Sequence, residues 1–204
     1  MPALLACPPF RSQPKAQRPP CTRATLAVML LLLLWMMAFP VAAAEEADLE
    51  QRVKAAFLYK FASFVEWPTP VLPRPDTPIT IAVAGSDDIV AELDQMVVGR
   101  TAQGHPLAVK RIRTGDALAG VHILFIGGNE SRRLAQWAQA AQRHSTLLVT
   151  DAENALTHGS VINFVVAERR VRFEVSLDAA EKSGIKLSSR LLAVARHVHR
   201  RASP

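Results

Sequence analysis

The sequence predicts an α/β domain built on a mainly parallel sheet and closed by a C-terminal β-hairpin with helices. Three observations carry that expectation. Short apolar, β-branched runs recur at Ile79–Ala84 (ITIAVA), Val121–Ile126 (VHILFI) and Thr146–Val149. The segments between them have helical spacing, and strands alternating with helices imply βαβ units. At the end of the chain, Val161–Val166 and Val171–Val175 flank Glu168-Arg169-Arg170, two apolar runs about a polar turn. In the second run Arg172 and Glu174 alternate with Val171, Phe173 and Val175, so that strand has one polar face.

Taken in order, Ala47–Phe64 reads as the first helix. With Val53 at zero and 100° per residue, Phe57, Phe61 and Phe64 fall at about 40°, 80° and 20°. That single face carries three of the eight phenylalanines of the chain. It is either core or a docking surface. Lys60, at about 340°, either snorkels past the rings or marks a place where the face is incompletely buried. Trp67-Pro68 stops the helix, because the residue before proline is pushed out of the α region. A proline-rich linker then leads to the strand Ile79–Ala84.

Gly85-Ser86-Asp87-Asp88 turns the chain, with Ser86 or Asp87 as N-cap of a helix that runs to Val97 and ends at Gly99. Leu107–Ile112 is a strand with one wet face, and Thr114–Leu118 a turn or short helix. Gly127-Gly128 closes the strand Val121–Ile126, and Asn129 or Ser131 caps a helix through His144, amphipathic at Leu134, Trp137, Ala138 and Ala141. After the hairpin, Leu177–Lys182 is a short helix ended by Ser183-Gly184. Ser188 or Ser189 caps a last helix carrying Leu191, Leu192, Val194, Ala195 and Val198. Its end holds Arg196, Arg200 and Arg201, where cations favour the helix dipole.

Residues 1–44 read as a leader and 45–204 as one domain. Basic, proline-rich residues precede an apolar run from Ala24 to Phe39, and Ala42-Ala43-Ala44 supplies a small-residue cleavage site. These are the ordered parts of a secretory signal peptide. An uncleaved anchor is the competing reading, since the run approaches the roughly 20 residues needed to span a bilayer. The formal charge of +6 comes largely from Arg11, Lys15, Arg18 and Arg23. Without those four, 20 basic residues face 18 acidic ones, which argues against the dense basic stripe of a nucleic-acid binder. The only cysteines, Cys7 and Cys21, lie in the leader. A cleaved product has no disulfide, thiolate nucleophile or cysteine metal site.

The motifs for chemistry are weak. Asp87, Asp88 and Asp151 after strands are placed like the acids of a phosphoacceptor receiver domain, but no lysine clearly ends the last strand, and capping explains the aspartates. Gly127–Ser131 lacks the G-x-G-x-x-G spacing of a phosphate cradle, and Glu130 would repel phosphate. His197 and His199 lie 200° apart if helical, which prevents a shared metal. No G-x-S-x-G elbow occurs. No catalytic, cofactor-binding or metal-ligating residue is assigned, and no cofactor is expected.

Three stretches carry a resemblance: VKAAFLYKFASFVEWP at 53–68, VHILFIGGNES at 121–131 and INFVVAERRVRFEVSLDAAEKSGIKLSSRLLAVARHV at 162–198. In this order they resemble the YfiR family of bacterial periplasmic proteins. The resemblance implies a single-domain α/β/α sandwich with a mainly parallel, mixed sheet, acting as a homodimer. It implies a non-enzymatic regulator that represses an inner-membrane diguanylate cyclase through its periplasmic part. An outer-membrane lipoprotein can sequester the repressor, raising cyclic-di-GMP and favouring biofilm. The chain departs from the pattern in three places: no cysteine after the leader, Lys60 in place of an asparagine, and Ser176 where Asn is frequent. The partner-contact candidates are Lys60, Glu66, Trp67, Arg169, Arg170 and Arg172, since Trp and Arg are favoured interface anchors. The alternative is a periplasmic small-ligand module feeding a neighbouring sensor or transport system, hinted at by Asp151 and Asn163 at strand ends.

Overall fold

In the computed structural model, residues 45–68 and 71–200, together with Met29, are described. The expected leader otherwise falls outside them, as does Arg201. The fold is that of Glu45–Pro204, one of two compact units.

The apolar runs become a parallel core because both their faces must be covered. β2 (Ile79–Ala84) lies between β4 (His105–Arg111) and β5 (Ile123–Ile126), followed outward by β6 (Leu147–Thr150) and β7 (Ile162–Ala167), all parallel. Ile79, Ile81, Val83, Ile123, Phe125, Leu147 and Val149 point into one core, under α1 (45–61) and α2 (Asp87–Val97). Their alternates Ala82, Ala84, Leu124, Ile126 and Leu148 point into a second, under α3 (Leu134–Arg143). The sheet is mixed at both ends. The short β3 (Thr101–Ala102) is antiparallel to β4, and β8 (Arg170–Ser176) returns antiparallel to β7. Beyond β8 lies β10 (His197–His199), giving the order β10-β8-β7-β6-β5-β2-β4-β3. The predicted α/β sandwich with a C-terminal hairpin is the fold observed.

The aromatic face of α1 is core. Phe61 is 1 % exposed, and its ring lies 5.3 Å from Phe173 and 6.0 Å from Phe164. Phe57 stands 5.5 Å from Phe173 and 5.9 Å from Phe164. The helix is therefore clamped onto the β7–β8 hairpin by four rings, two from each.

Several boundaries differ from expectation for tertiary reasons. α1 ends at residue 61 rather than Phe64. Gln103 Nε2 donates to the carbonyls of Ala62 and Val65, both at 2.8 Å, and so satisfies chain-end acceptors there. Val65–Glu66 then forms β1, antiparallel to β9 (Lys186–Leu187), so pairing ends the helix before Trp67-Pro68 can. Neither Asn129 nor Ser131 caps α3. A 3₁₀ turn, Gly128–Arg133, precedes it, and the helix has no side-chain cap. The loops after β2 and β5 touch here: a Cβ on Gly85 would sit 2.0 Å from the Gly127 carbonyl oxygen. That approach, with φ +80° at Gly85, requires glycine.

α4 (Leu177–Lys182) is capped by Ser176, and α5 (Ser189–Val194) by Ser188. The last helix is shorter than expected, because Arg196 N–H donates to the Phe173 carbonyl at 2.8 Å and the chain joins the sheet. Val198 thus lies on an edge strand, and the dipole account of the basic end fails. Arg196 pairs with Glu174 and Arg200 with Glu181, each at 3.5 Å. The hairpin turn is two residues, Glu168 and Arg169, at φ 53° and 58°, with Arg170 already opposite Ala167.

The four-ring clamp makes a direct prediction. Phe61→Ala lowers the unfolding free energy by about 3–5 kcal/mol, read as a lower urea midpoint, whereas Lys60→Ala beside it changes stability by less than about 0.5 kcal/mol.

Candidate functional site

The partner-contact candidates fall into two groups. Lys60 is exposed on α1, its Nζ 5.3 Å from the Tyr59 ring centroid, and the Arg100 guanidinium lies 5.7 Å from the same ring. Glu66 is exposed in β1 opposite Lys186, an arrangement of opposite charges. Trp67 is half-buried, edge-on to His122 with ring centroids 5.7 Å apart, and its indole Nε1 is buried without a hydrogen-bond partner. His122 is held neutral by its surroundings. Burial lowers its pKa, and its Nδ1 accepts from the Thr80 N–H at 3.1 Å. The second group is the hairpin: Arg169, Arg170 and Arg172 are exposed, and among the described residues none of them forms an ion pair. The phenylalanine clamp lies between α1 and the hairpin, so both groups ride on one packed unit.

Asp151 and Asn163 converge on an open cleft of about 1130 Å³ at the carboxyl end of β6, where parallel order gives way to the hairpin. α1 supplies one wall. Lys54, 4 % exposed, donates to Asp151 Oδ2 at 2.7 Å and lies 2.6 Å from Glu50 Oε1. Burial pulls the Lys54 ammonium down, but hydrogen bonds to Asp151 and Glu50 outweigh it and hold the pKa above the usual lysine value. Asn163 lines the cleft between Thr150 on β6 and Glu174 on β8. Glu174 in turn meets Arg196 Nη1 at 3.5 Å and His199 Nε2 at 3.6 Å. The cleft is lined by carboxylates, amides, hydroxyls and paired cations beside apolar β7 residues.

Sequence reasoning named Asp151 and Asn163 but missed Lys54, Glu174 and His199. The signal for Lys54 was the carboxylate four residues earlier, an i,i+4 pair beside an aromatic face. The acids of the receiver-like reading do not meet. Asp87 pairs with Arg111 at 3.0 Å in a second, smaller cleft, while Asp151 is taken by Lys54. His197 and His199 lie on a strand, not a helix, with ring centroids 6.2 Å apart, so helical geometry is not what separates them. Among the described residues no group of three His, Cys, Asp or Glu could hold a metal ion, and no helix is long and apolar enough to cross a membrane.

A raised lysine pKa stabilises the fold below the unfolded value near 10.5 and loses that effect as pH rises through the higher folded value. The melting-temperature gap between the wild-type protein and Lys54→Met therefore stays constant from pH 7 to 9 and narrows above pH 10.5, as measured by calorimetry across that range.

Among known proteins, no curated sequence matches. A solved structure described as a conserved domain protein from Vibrio cholerae O1 biovar El Tor matches with a TM-score of 0.43 and 13 % identity, over 64 % of this chain and 57 % of that one. The family model described as YfiR/HmsC-like matches residues 51–196, from α1 through α5. That span takes in most of α1 and the whole hairpin, and the chain belongs to the YfiR/HmsC-like family.

Proposed function

We propose that this protein is a non-enzymatic periplasmic regulator that represses an inner-membrane diguanylate cyclase by binding its periplasmic part. The observation that carries the reading is family membership across residues 51–196. Repression of this kind needs only a difference in affinity between partner states. An outer-membrane lipoprotein competing for the same surface relieves it, and the protein acts as a homodimer. Residues 45–204 contain no cysteine, so this regulator works without thiol redox control.

The contact surface we assign comprises Lys60, Glu66 and Trp67 on one side and Arg169, Arg170 and Arg172 on the other. Its support is physical. Five of the six side chains are exposed, and the sixth, Trp67, is half-buried. Exposed cations at an interface steer association and fix register. A second reading, a small-ligand module, is favoured by the convergence of Asp151 and Asn163 on one cleft.

Deletion of the gene should raise cellular cyclic-di-GMP, and the purified protein should capture a membrane protein with a cyclase domain from envelope extract. Lys60→Glu should weaken that capture about tenfold, the loss typical of an interface anchor, with an unchanged melting temperature. Unchanged cyclic-di-GMP on deletion contradicts the repressor reading.

A further inference from the structure

We propose that the tip of the β7–β8 hairpin docks on an anionic phospholipid surface, with Arg169, Arg170 and Arg172 meeting lipid phosphates and Val166 entering the head-group boundary. The inference deepens the proposed contact surface by giving its hairpin side a lipid occupant. Its test needs no protein partner, so its failure and the failure of the repressor reading are told apart.

The hairpin outruns the rest of its sheet. β6 pairs with β7 only at Ile162 and Asn163, and β10 pairs with β8 only at Glu174, Val175 and Ser176. From Val165 to Arg172 the two strands pair with each other alone. Val165–Ala167 and Arg170–Arg172 thus project as a two-stranded ribbon, reaching about 10 Å beyond their last sheet neighbours. The turn at its end is tight, with positive φ at both Glu168 and Arg169. A free ribbon is marginal in water, but this one is anchored at its base, where Phe164 and Phe173 pack on Phe57 of α1.

Charge and apolar surface together select the occupant. Residues 45–164 carry 11 basic and 14 acidic side chains, whereas residues 165–200 carry eight basic and four acidic. The three tip arginines are exposed, and among the described residues none of them forms an ion pair. Glu174, further down β8, is occupied by Arg196 and His199. Val166 is 60 % exposed and stands opposite Val171. Strand alternation puts these valines on one face of the ribbon and Arg170 and Arg172 on the other. An acidic protein surface meeting the arginine face satisfies the guanidinium groups and leaves Val166 in water. A bilayer met tip-on satisfies both faces, because anionic head groups take the cations and the interface takes the apolar side chain. Backbone groups along the free edges of the ribbon need water, which limits entry to head-group depth.

The test is co-sedimentation of the purified protein with vesicles of phosphatidylglycerol and phosphatidylcholine in equal parts, against vesicles of phosphatidylcholine alone. The mixed vesicles should bind the protein saturably and release it at high salt, and the neutral ones should not bind it. Arg170→Ala with Arg172→Ala should weaken binding about thirtyfold at an unchanged melting temperature. Arg170→Lys with Arg172→Lys should retain it, since a lipid surface needs charge rather than a planar fork. Val166→Ser should weaken it about threefold with the same salt dependence. If the double alanine variant does not fold, Arg169→Asn, which suits the left-handed turn, should still weaken binding about fivefold. Poly-L-glutamate, titrated by calorimetry, should bind more weakly than mixed vesicles of matched charge. No binding to the mixed vesicles, equal binding to the neutral ones, or equal binding by the folded alanine variant overturns the proposal. Tighter binding of poly-L-glutamate than of the vesicles also overturns it, and assigns the ribbon to an acidic protein segment instead.

Discussion

Four phenylalanine rings hold this fold in register. Phe57 and Phe61 on α1 meet Phe164 on β7 and Phe173 on β8, with centroid separations between 5.3 and 6.0 Å across the helix–hairpin seam. Two of the contacts are edge-to-face, the geometry in which aromatic quadrupoles attract, and each such pair adds about 0.5–1.5 kcal/mol beyond burial. The parallel strands β2, β4, β5 and β6 are held by αβ crossovers, but the hairpin has no crossover helix of its own. α1 serves as its cover. The N-terminal helix and the C-terminal strands are thus one packed unit, although more than 100 residues separate Phe61 from Phe164.

That seam also sets the position of the cleft. Because α1 lies over the hairpin, its first turns reach the carboxyl end of β6, where Lys54 meets Asp151. Because β7 continues past the end of β6, Asn163 stands at the boundary, with the last β6 residue, Thr150, on one side and β8 on the other. Ligand sites in α/β sheets favour the carboxyl ends of strands. Here the loops at the topological switch point around β2 approach closely at Gly85 and Gly127 beside the smaller cleft, and the larger opening lies at the parallel-to-antiparallel junction.

Much of this was legible in the sequence where a local pattern and the tertiary environment agree. β2 matches Ile79–Ala84 at both ends because a strand buried on two faces is apolar throughout. The hairpin was legible from two apolar runs about charged residues, and α4 from its Ser183-Gly184 stop, though its Ser176 cap was not. The misplaced elements are those decided by distant partners. Nothing near Phe61 in sequence says that Gln103 will satisfy its neighbours' carbonyls. LLAVARHV reads as one apolar helix face, yet the backbone of Arg196 finds the free edge of β8 and the second half becomes strand. Asp151 and Asn163 were visible as polar residues at strand ends. The partner of Asp151, Lys54, lies 97 residues away and was not.

The two faces of α1 are distinct. The rings of α1 face inward, and Lys60, near them on a helical wheel, stands outside over Tyr59. The docking surface we propose is accordingly the flank of α1 and the outer surface of the hairpin, since the aromatic face is buried. The most direct test is a double-mutant cycle between Phe61 and Phe173, each replaced by leucine, with unfolding free energies from urea titration. The account predicts a coupling of about 0.5–1.5 kcal/mol. Additive losses, with no coupling, would contradict the clamp and reopen the aromatic face as a surface for partners.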